Sequence, residues 1–196
     1  TNSFTYIEEG EVHRTSPEEG QQGTVVTISG VRMFGGGGSL VSLTIGGVDA
    51  EIVSSSATEI VVIVADNVPS ASTIVMVSNT GAEVRDVGAF TYLEPARIEA
   101  ISPDSGSFGT FVTVIGQRLL AGASSVSNVT LDSVLALSII SANDTQIVVR
   151  AGDNGGNASS SAGSVYVTTS TGAFYVNQSL FSYVQPGEID LVLPPS

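Results

Sequence analysis

Phe90-Thr91-Tyr92-Leu93-Glu94, followed by Ile98 and Ser102-Pro103, is the stretch that decides the fold, because variants of it occur three times. Phe4-Thr5-Tyr6-Ile7-Glu8 leads into Gly10-Glu11-Val12 and Ser16-Pro17. Phe181-Ser182-Tyr183-Val184-Gln185 leads into Gly187-Glu188-Ile189 and Pro194. Phe90 lies 86 residues after Phe4, and Phe181 lies 91 after Phe90; the prolines keep the same intervals. A period of this size marks a repeated domain. The 196 residues therefore divide into two repeats, 10–95 and 96–186. Residues 1–9 resemble the last strand of a preceding unit, and 187–196 the start of a further one.

The repeats align along their length. Gly23-Thr24-Val25-Val26-Thr27 matches Gly109-Thr110-Phe111-Val112-Thr113, and Thr58-Glu59-Ile60-Val61-Val62 matches Thr145-Gln146-Ile147-Val148-Val149. Thr80-Gly81-Ala82 matches Thr171-Gly172-Ala173. The extra length of the second repeat falls mostly in Ala151–Gly163, as an insertion into a surface loop would. No stretch has a sustained helical period. Short runs of β-branched residues punctuated by Gly, Ser and Asn predict strands instead. In the first repeat these are 24–28, 40–45, 48–53, 59–64, 73–78 and 89–93. In the second they are 110–115, 128–131, 134–140, 146–150, 164–169 and 180–184. Such spacing suggests an all-β sandwich.

The pattern Ile98, Ile101, Pro103, Gly106, Gly109, Thr110, Val112, Thr113, Gly116, closing on Phe181 and Tyr183, resembles the IPT/TIG domain. The first repeat matches through Pro17, Gly20, Gly23, Thr24, Val26, Thr27, Gly30, Phe90 and Tyr92. The resemblance covers nearly the whole chain and implies two tandem immunoglobulin-like sandwiches. The first repeat departs at His13-Arg14-Thr15, where the second has Glu99-Ala100-Ile101, so its first strand is expected to be loosely held. Each Phe-x-Tyr pair puts both rings on one face of a closing strand, where they bury a large area in a small core.

Composition narrows the function classes. Apolar residues reach 42%, enough for two cores, while charged residues are only 13%, so the surface is polar but weakly charged. Net charge is −13, and all six cations are Arg. Nucleic acid and anionic lipid both need clustered cations, which argues against either partner. There is no Cys, hence no disulfide or thiolate metal site. No apolar run approaches the ~20 residues of a membrane-spanning helix.

Candidate chemistry is sparse. His13 is the single His, in an edge strand or linker, and a nucleophilic triad would require it to meet a Ser and an Asp. The junction carboxylates Glu8, Glu11, Glu18, Glu19, Glu94 and Glu99 lack the aromatic partners of a sugar subsite, and there is no Trp. Glu8 and Glu94 are equivalent and offer the hard oxygens that Ca²⁺ needs, but no Asp-x-Asp-x-Asp-Gly loop is present and Gln185 replaces the third acid. Gly35-Gly36-Gly37-Gly38 lacks the Gly-Lys-Ser/Thr and helix of a phosphate loop. No catalytic, cofactor or metal residues are assigned, and the chain is read as non-enzymatic.

Sequons and chain ends carry the functional reading. Asn128, Asn143, Asn157 and Asn177 each begin an Asn-x-Ser/Thr sequence, four of the eight Asn, where this composition gives about two by chance. They are candidate N-glycosylation sites. Phe4, Tyr6, Ile7, Phe90, Tyr92, Phe181, Tyr183, Ile189, Leu191 and Leu193 are the candidate junction and assembly residues. The terminal segments either complete a sheet in a neighbour by strand addition or continue covalently into further repeats. The expected function is a structural subunit of a glycosylated extracellular filament or surface array. Its partners are copies of itself or adjacent repeats, head to tail. The alternative is a cell-surface adhesin whose loops bind a glycan or receptor, with Phe34 and Phe108 as the only loop aromatics. A transcription-factor module, another setting of this domain, disagrees with the acidic charge.

Overall fold

The computed structural model describes residues 6–187. Among the described residues there are strands and turns but no helix, and these residues fall into two units, drawn chiefly from the part before Ala96 and the part from Ala96 onward. Unit 1 holds β1 (Glu11–Ser16), β2 (Glu19–Gly20), β3 (Val25–Val31), β4 (Leu40–Ile45), β5 (Val48–Asp49), β6 (Glu51–Ser55), β7 (Glu59–Ile63), β8 (Ser70–Ser78) and β9 (Glu83–Tyr92). Unit 2 holds β10 (Arg97–Ser102), β11 (Ser105–Gly106), β12 (Phe111–Gln117), β13 (Val126–Leu131), β14 (Val134–Leu135), β15 (Ser138–Ala142), β16 (Gln146–Arg150), β17 (Gly163–Thr169) and β18 (Phe174–Tyr183).

Each unit is a sandwich of two sheets with one topology. The four-stranded sheets run β1-β3-β7-β6 and β10-β12-β16-β15; the five-stranded ones run β2-β9-β8-β4-β5 and β11-β18-β17-β13-β14. In both units the leading segment changes sheets at a cis proline, Pro17 or Pro103. Its first part pairs antiparallel with β3 or β12, and its second part pairs parallel with the closing strand. The fold is the all-β, tandem immunoglobulin-like arrangement that the repeat implies.

The glycines and threonine of the repeated pattern have visible work. Thr24 Oγ1 accepts from Gln21 N at 3.2 Å, and Thr110 Oγ1 from Ser107 N at 3.0 Å, closing the turn into β3 and β12. A Cβ at Gly20 or Gly106 would strike that threonine. A Cβ at Gly30 or Gly116 would strike the carbonyl of Glu11 or Arg97 on the adjacent first strand. Glycine is thus required by close backbone approach.

Inward-facing residues alternate with outward ones along β3 and β12, as a half-buried strand demands. The unit 1 core gathers Val26, Ile28, Leu43, Ile45, Ile60, Val62, Ile74, Met76, Phe90 and Tyr92. In unit 2 the corresponding strands bury Val112, Val114, Val129, Leu131, Ile147, Val149, Val165, Val167, Phe181 and Tyr183.

Several strand expectations need correction. The single strands expected over 48–53 and 134–140 each divide between the two sheets, as β5 and β6 and as β14 and β15. β1 pairs with β3 at five positions through a bulge after Val12, just as β10 pairs with β12 through a bulge after Ile98. The first strand of unit 1 is therefore paired as fully as its counterpart, because backbone pairing is indifferent to the His13-Arg14-Thr15 side chains. The closing strands are also longer than expected: β9 begins at Glu83 and β18 at Phe174, since pairing with β8 and β17 extends them through polar sequence without apolar alternation.

Candidate interaction surfaces

The candidate residues fall into three groups. The Phe-x-Tyr pairs form the first. Phe90 and Tyr92 pack edge to face with centroids 5.2 Å apart and planes at 83°; Phe181 and Tyr183 do so at 5.2 Å and 87°. That geometry suits the ring quadrupoles. Phe90 and Phe181 are fully buried, and Tyr92 donates to Ile45 O at 3.3 Å. These four residues were expected at a junction, but they are spent inside the sandwiches, where large rings fill a thin core. Burial pushes the phenols of Tyr92 and Tyr183 above their usual range, and Tyr175 more so.

The terminal segments form the second group. Phe4, Ile189, Leu191 and Leu193 lie outside the described residues. Tyr6–Gly10 has no regular secondary structure, so the described part of the leading segment is not a strand. It is nonetheless held: Arg32 Nη1 lies 3.2 Å from Glu8 Oε2, and Arg32 Nε donates to Glu9 O at 2.9 Å.

The sequons form the third. Asn128 on β13, Asn143 in the turn before β16 and Asn157 in the inserted loop are exposed. Asn143 Oδ1 accepts from Thr145 N at 2.9 Å, Thr145 Oγ1 at 3.0 Å and Gln146 N at 2.9 Å. Asn177 differs. It is half-buried, and its Nδ2 donates to Ile98 O at 2.9 Å, tying β18 to β10. The nitrogen a glycan would need is committed to the fold.

The remaining candidates are dispersed. His13 sits at the β1 bulge, exposed, 3.9 Å from Glu11 Oε2. Glu99 pairs with Arg97 at 2.9 Å and accepts from Gln117. Among the described residues, no three acidic or imidazole groups converge as a metal site. In the Gly35–Gly38 loop, Gly35 N donates to Arg32 O, Gly37 N to Phe34 O and Gly38 N to Asn79 Oδ1, all at 2.8–2.9 Å. Those donors are consumed by turns and are not aimed at an anion.

One surface was anticipated only at Phe108. Phe111, at the start of β12, is 60% exposed, and the Arg150 guanidinium lies 5.4 Å from its ring centroid. The two residues are partners across the β12–β16 ladder, and Ile115 and Val148 continue the same outer face. Exposed Ile140 sits at the bulge of β15, and Phe108 projects from the preceding turn, 54% exposed. In unit 1 the positions of Phe111 and Ile115 hold Val25 and Ser29. The signal was legible: Phe111 immediately precedes buried Val112, so alternation turns it outward.

Residues 11–92 and 96–183 match the model of the IPT/TIG domain. No curated protein matches the chain in sequence. Among solved structures, the chain is similar to a full extracellular region of plexin A4 (TM-score 0.63, 18% identity, 89% of this chain and 16% of that one). A second plexin A4 extracellular structure gives TM-score 0.52 at 19% identity, covering 92% and 18%. Bacteroides ovatus SGBP-B, in complex with a mixed-linkage heptasaccharide, reaches only 0.36 at 10% identity over 92% and 45%, too distant to carry weight. The chain thus spans about a sixth of the plexin extracellular region, and at these identities the likeness establishes the fold.

Proposed function

The chain belongs to the IPT/TIG domain family, and from that membership we propose that it is a structural, non-catalytic module of an extracellular or cell-surface array built head to tail from such sandwiches. The observation that carries this reading is the repetition itself. One nine-strand frame occurs twice with the same sheet order and the same bulge in its first strand. The residues of the repeated pattern are used to build that frame, so what remains for function is surface. N-linked glycans at Asn128, Asn143 and Asn157 would add the solubility that the weakly charged exterior lacks. Neighbouring modules join either covalently or, in a filament, through exchange of the terminal segments.

Light scattering during size-exclusion chromatography, over a range of concentrations, tests the mode of joining. A single species near 20.0 kDa plus any glycan is expected for a module whose neighbours are covalent. Growth to high mass with concentration, abolished by deleting Thr1–Glu8, would instead give the strand-exchanged filament. A second reading is favoured by one observation, the outer face of unit 2. There Phe108, Phe111 and Arg150 offer an aromatic and cationic surface of the kind that anchors interfaces. Saturable binding of a glycan or receptor, lost in Phe111→Ala, would replace the array reading with an adhesin.

A further inference from the structure

The two units build the same four-stranded sheet, so its outer face can be compared position by position. In unit 2 that face carries Phe111, Thr113 and Ile115 on β12, and Arg150, Val148 and Gln146 opposite them on β16. Ser138 stands opposite Arg150 on the edge strand β15. The matching ladders of unit 1 hold Val25, Thr27 and Ser29 opposite Ile63, Val61 and Glu59, with Glu51 opposite Ile63.

The central pair, Thr and Val, is the same in both units. Around it the changes run one way. The exposed carboxylates Glu51 and Glu59 give way to Ser138 and Gln146, Ile63 to Arg150, and Val25 and Ser29 to Phe111 and Ile115. The frame does not require this, because both sets of residues sit on the same backbone ladder. In a chain with 19 acidic and 6 basic residues, these positions of unit 2 hold no acid and one cation.

That cation is set apart from others in the chain. Arg32, Arg85 and Arg97 each lie within 3.2 Å of a glutamate carboxylate. The Arg150 guanidinium lies over the Phe111 ring, and among the described residues no carboxylate pairs with it. Its buried Nε has no acceptor there. Stacking on an aromatic face orients the planar donor fork and leaves its charge available to an anion. Exposed Ile115 and Ile140 and half-buried Val148 extend the surface. Aromatic residues and Arg dominate the energetics of protein interfaces. The aliphatic side chains suit apolar groups of a protein and offer nothing to sugar hydroxyls.

We propose that the outer face of β10-β12-β16-β15 docks a protein segment that carries a carboxylate beside an apolar side chain. The carboxylate meets Arg150, and the apolar group packs on Phe111 and Ile115. This names the partner class for the second reading above and rests on it.

The test selects a random displayed peptide library against the 196-residue chain and titrates each recovered peptide with the chain and its variants. Arg150→Ile and Phe111→Val install the residues that the same ladder carries in unit 1, and thermal melts check that the sheet is kept. Recovered peptides should pair Asp or Glu with an aromatic or aliphatic residue. Their binding should weaken about tenfold or more in either variant. Ser138→Glu with Gln146→Glu, which returns the unit 1 acids and spares every apolar contact, should weaken it by a similar factor, as should amidation of the peptide's acid. Peptide binding that needs Phe111 but ignores Arg150→Ile and the added acids overturns the carboxylate partner and leaves the adhesin reading standing. So does Phe111-dependent binding of polygalacturonate, a carboxylated polysaccharide, when no such peptide is recovered. Self-association lost in Phe111→Val gives the face to a second copy and overturns the proposal. If neither peptide nor polysaccharide binds through Phe111, the proposal and the adhesin reading fall together.

Discussion

Unit 1 and unit 2 reach the same backbone with different residues at its hardest positions. The two-residue turn between β4 and β5 is Gly46-Gly47, with φ of 61° and 81°; between β13 and β14 it is Asp132-Ser133, with φ of 48° and 67°. Both central residues need positive φ in such a hairpin, where glycine is the default. At the irregularity in the closing strand, unit 1 has Gly88 with φ 72° and unit 2 has Ser179 with φ 55°. The register of the neighbouring strands fixes the conformation, and unit 2 accepts the strain. At Asp132 it gains an anchor in return. Ser159 of the inserted loop donates to Asp132 Oδ2, and its backbone N donates to Tyr183 O at 2.8 Å. The extra length of unit 2 is thus tied down by a side chain that unit 1, with glycine there, does not have.

If the cores are equivalent as their ring geometry implies, Phe90→Ala and Phe181→Ala should cost the same. Each removes a fully buried ring from an edge-to-face pair, a loss of about 3–5 kcal/mol. Denaturant melts followed by hydrogen exchange resolved to each unit would measure both. A gap between the two losses larger than about 1 kcal/mol would show that one core relaxes where the other cannot, and the equivalence would be only topological.

Alkali should separate the units. Burial raises the phenol pKa of Tyr92 in unit 1 and of Tyr175 and Tyr183 in unit 2, with nearby carboxylates adding to it. Tyr175 occupies the place of Val84, and its hydroxyl donates to Leu119 O. A folded pKa above the unfolded value of about 10 gives stability that is complete below that pH and lost as pH rises through the folded value. Unit 2, with two such groups, should therefore lose more stability than unit 1 as pH rises above about 10. Tyr175→Phe should lower stability at neutral pH by about 1 kcal/mol through the lost hydrogen bond yet flatten the alkaline decline. An unchanged slope in this variant would mean that Tyr175 ionises as freely in the fold as outside it.

The parts of this molecule that repeat were the legible parts. Leu40–Ile45 and Gln146–Arg150 matched their expected bounds because apolar alternation and flanking Gly, Ser or Asn delimit them. The Phe-x-Tyr pairs were legible as core, because large rings on one face of a closing strand fill a thin sandwich. Strand β1 was harder to read, because Glu11–Ser16 buries little beyond Thr15 and is held by backbone pairing, which leaves no side-chain pattern. Asn177 misled for a related reason. A sequon is three residues long, and nothing in it reports that Nδ2 reaches Ile98 O from 79 residues away.

The smallest expected effect probes the strain itself. An L-residue in the left-handed region carries a cost of roughly 1–2 kcal/mol, partly offset by the lower chain entropy it brings to the unfolded state relative to glycine. Ser179→Gly should thus stabilise unit 2 by about 0.5–1 kcal/mol, and Gly88→Ser should destabilise unit 1 by a similar amount. Gly88 has open space where a Cβ would stand, so a loss there would report backbone conformation and not a clash. Asp132 makes the contrasting case. Asp132→Gly relieves the same kind of strain but also removes the carboxylate that receives Ser159. It should therefore yield less than Ser179→Gly and should speed hydrogen exchange in the inserted loop. If both glycine variants stabilise unit 2 equally and the loop exchanges as before, the Asp132–Ser159 contact contributes nothing. The difference between the units at this turn would then be strain without compensation.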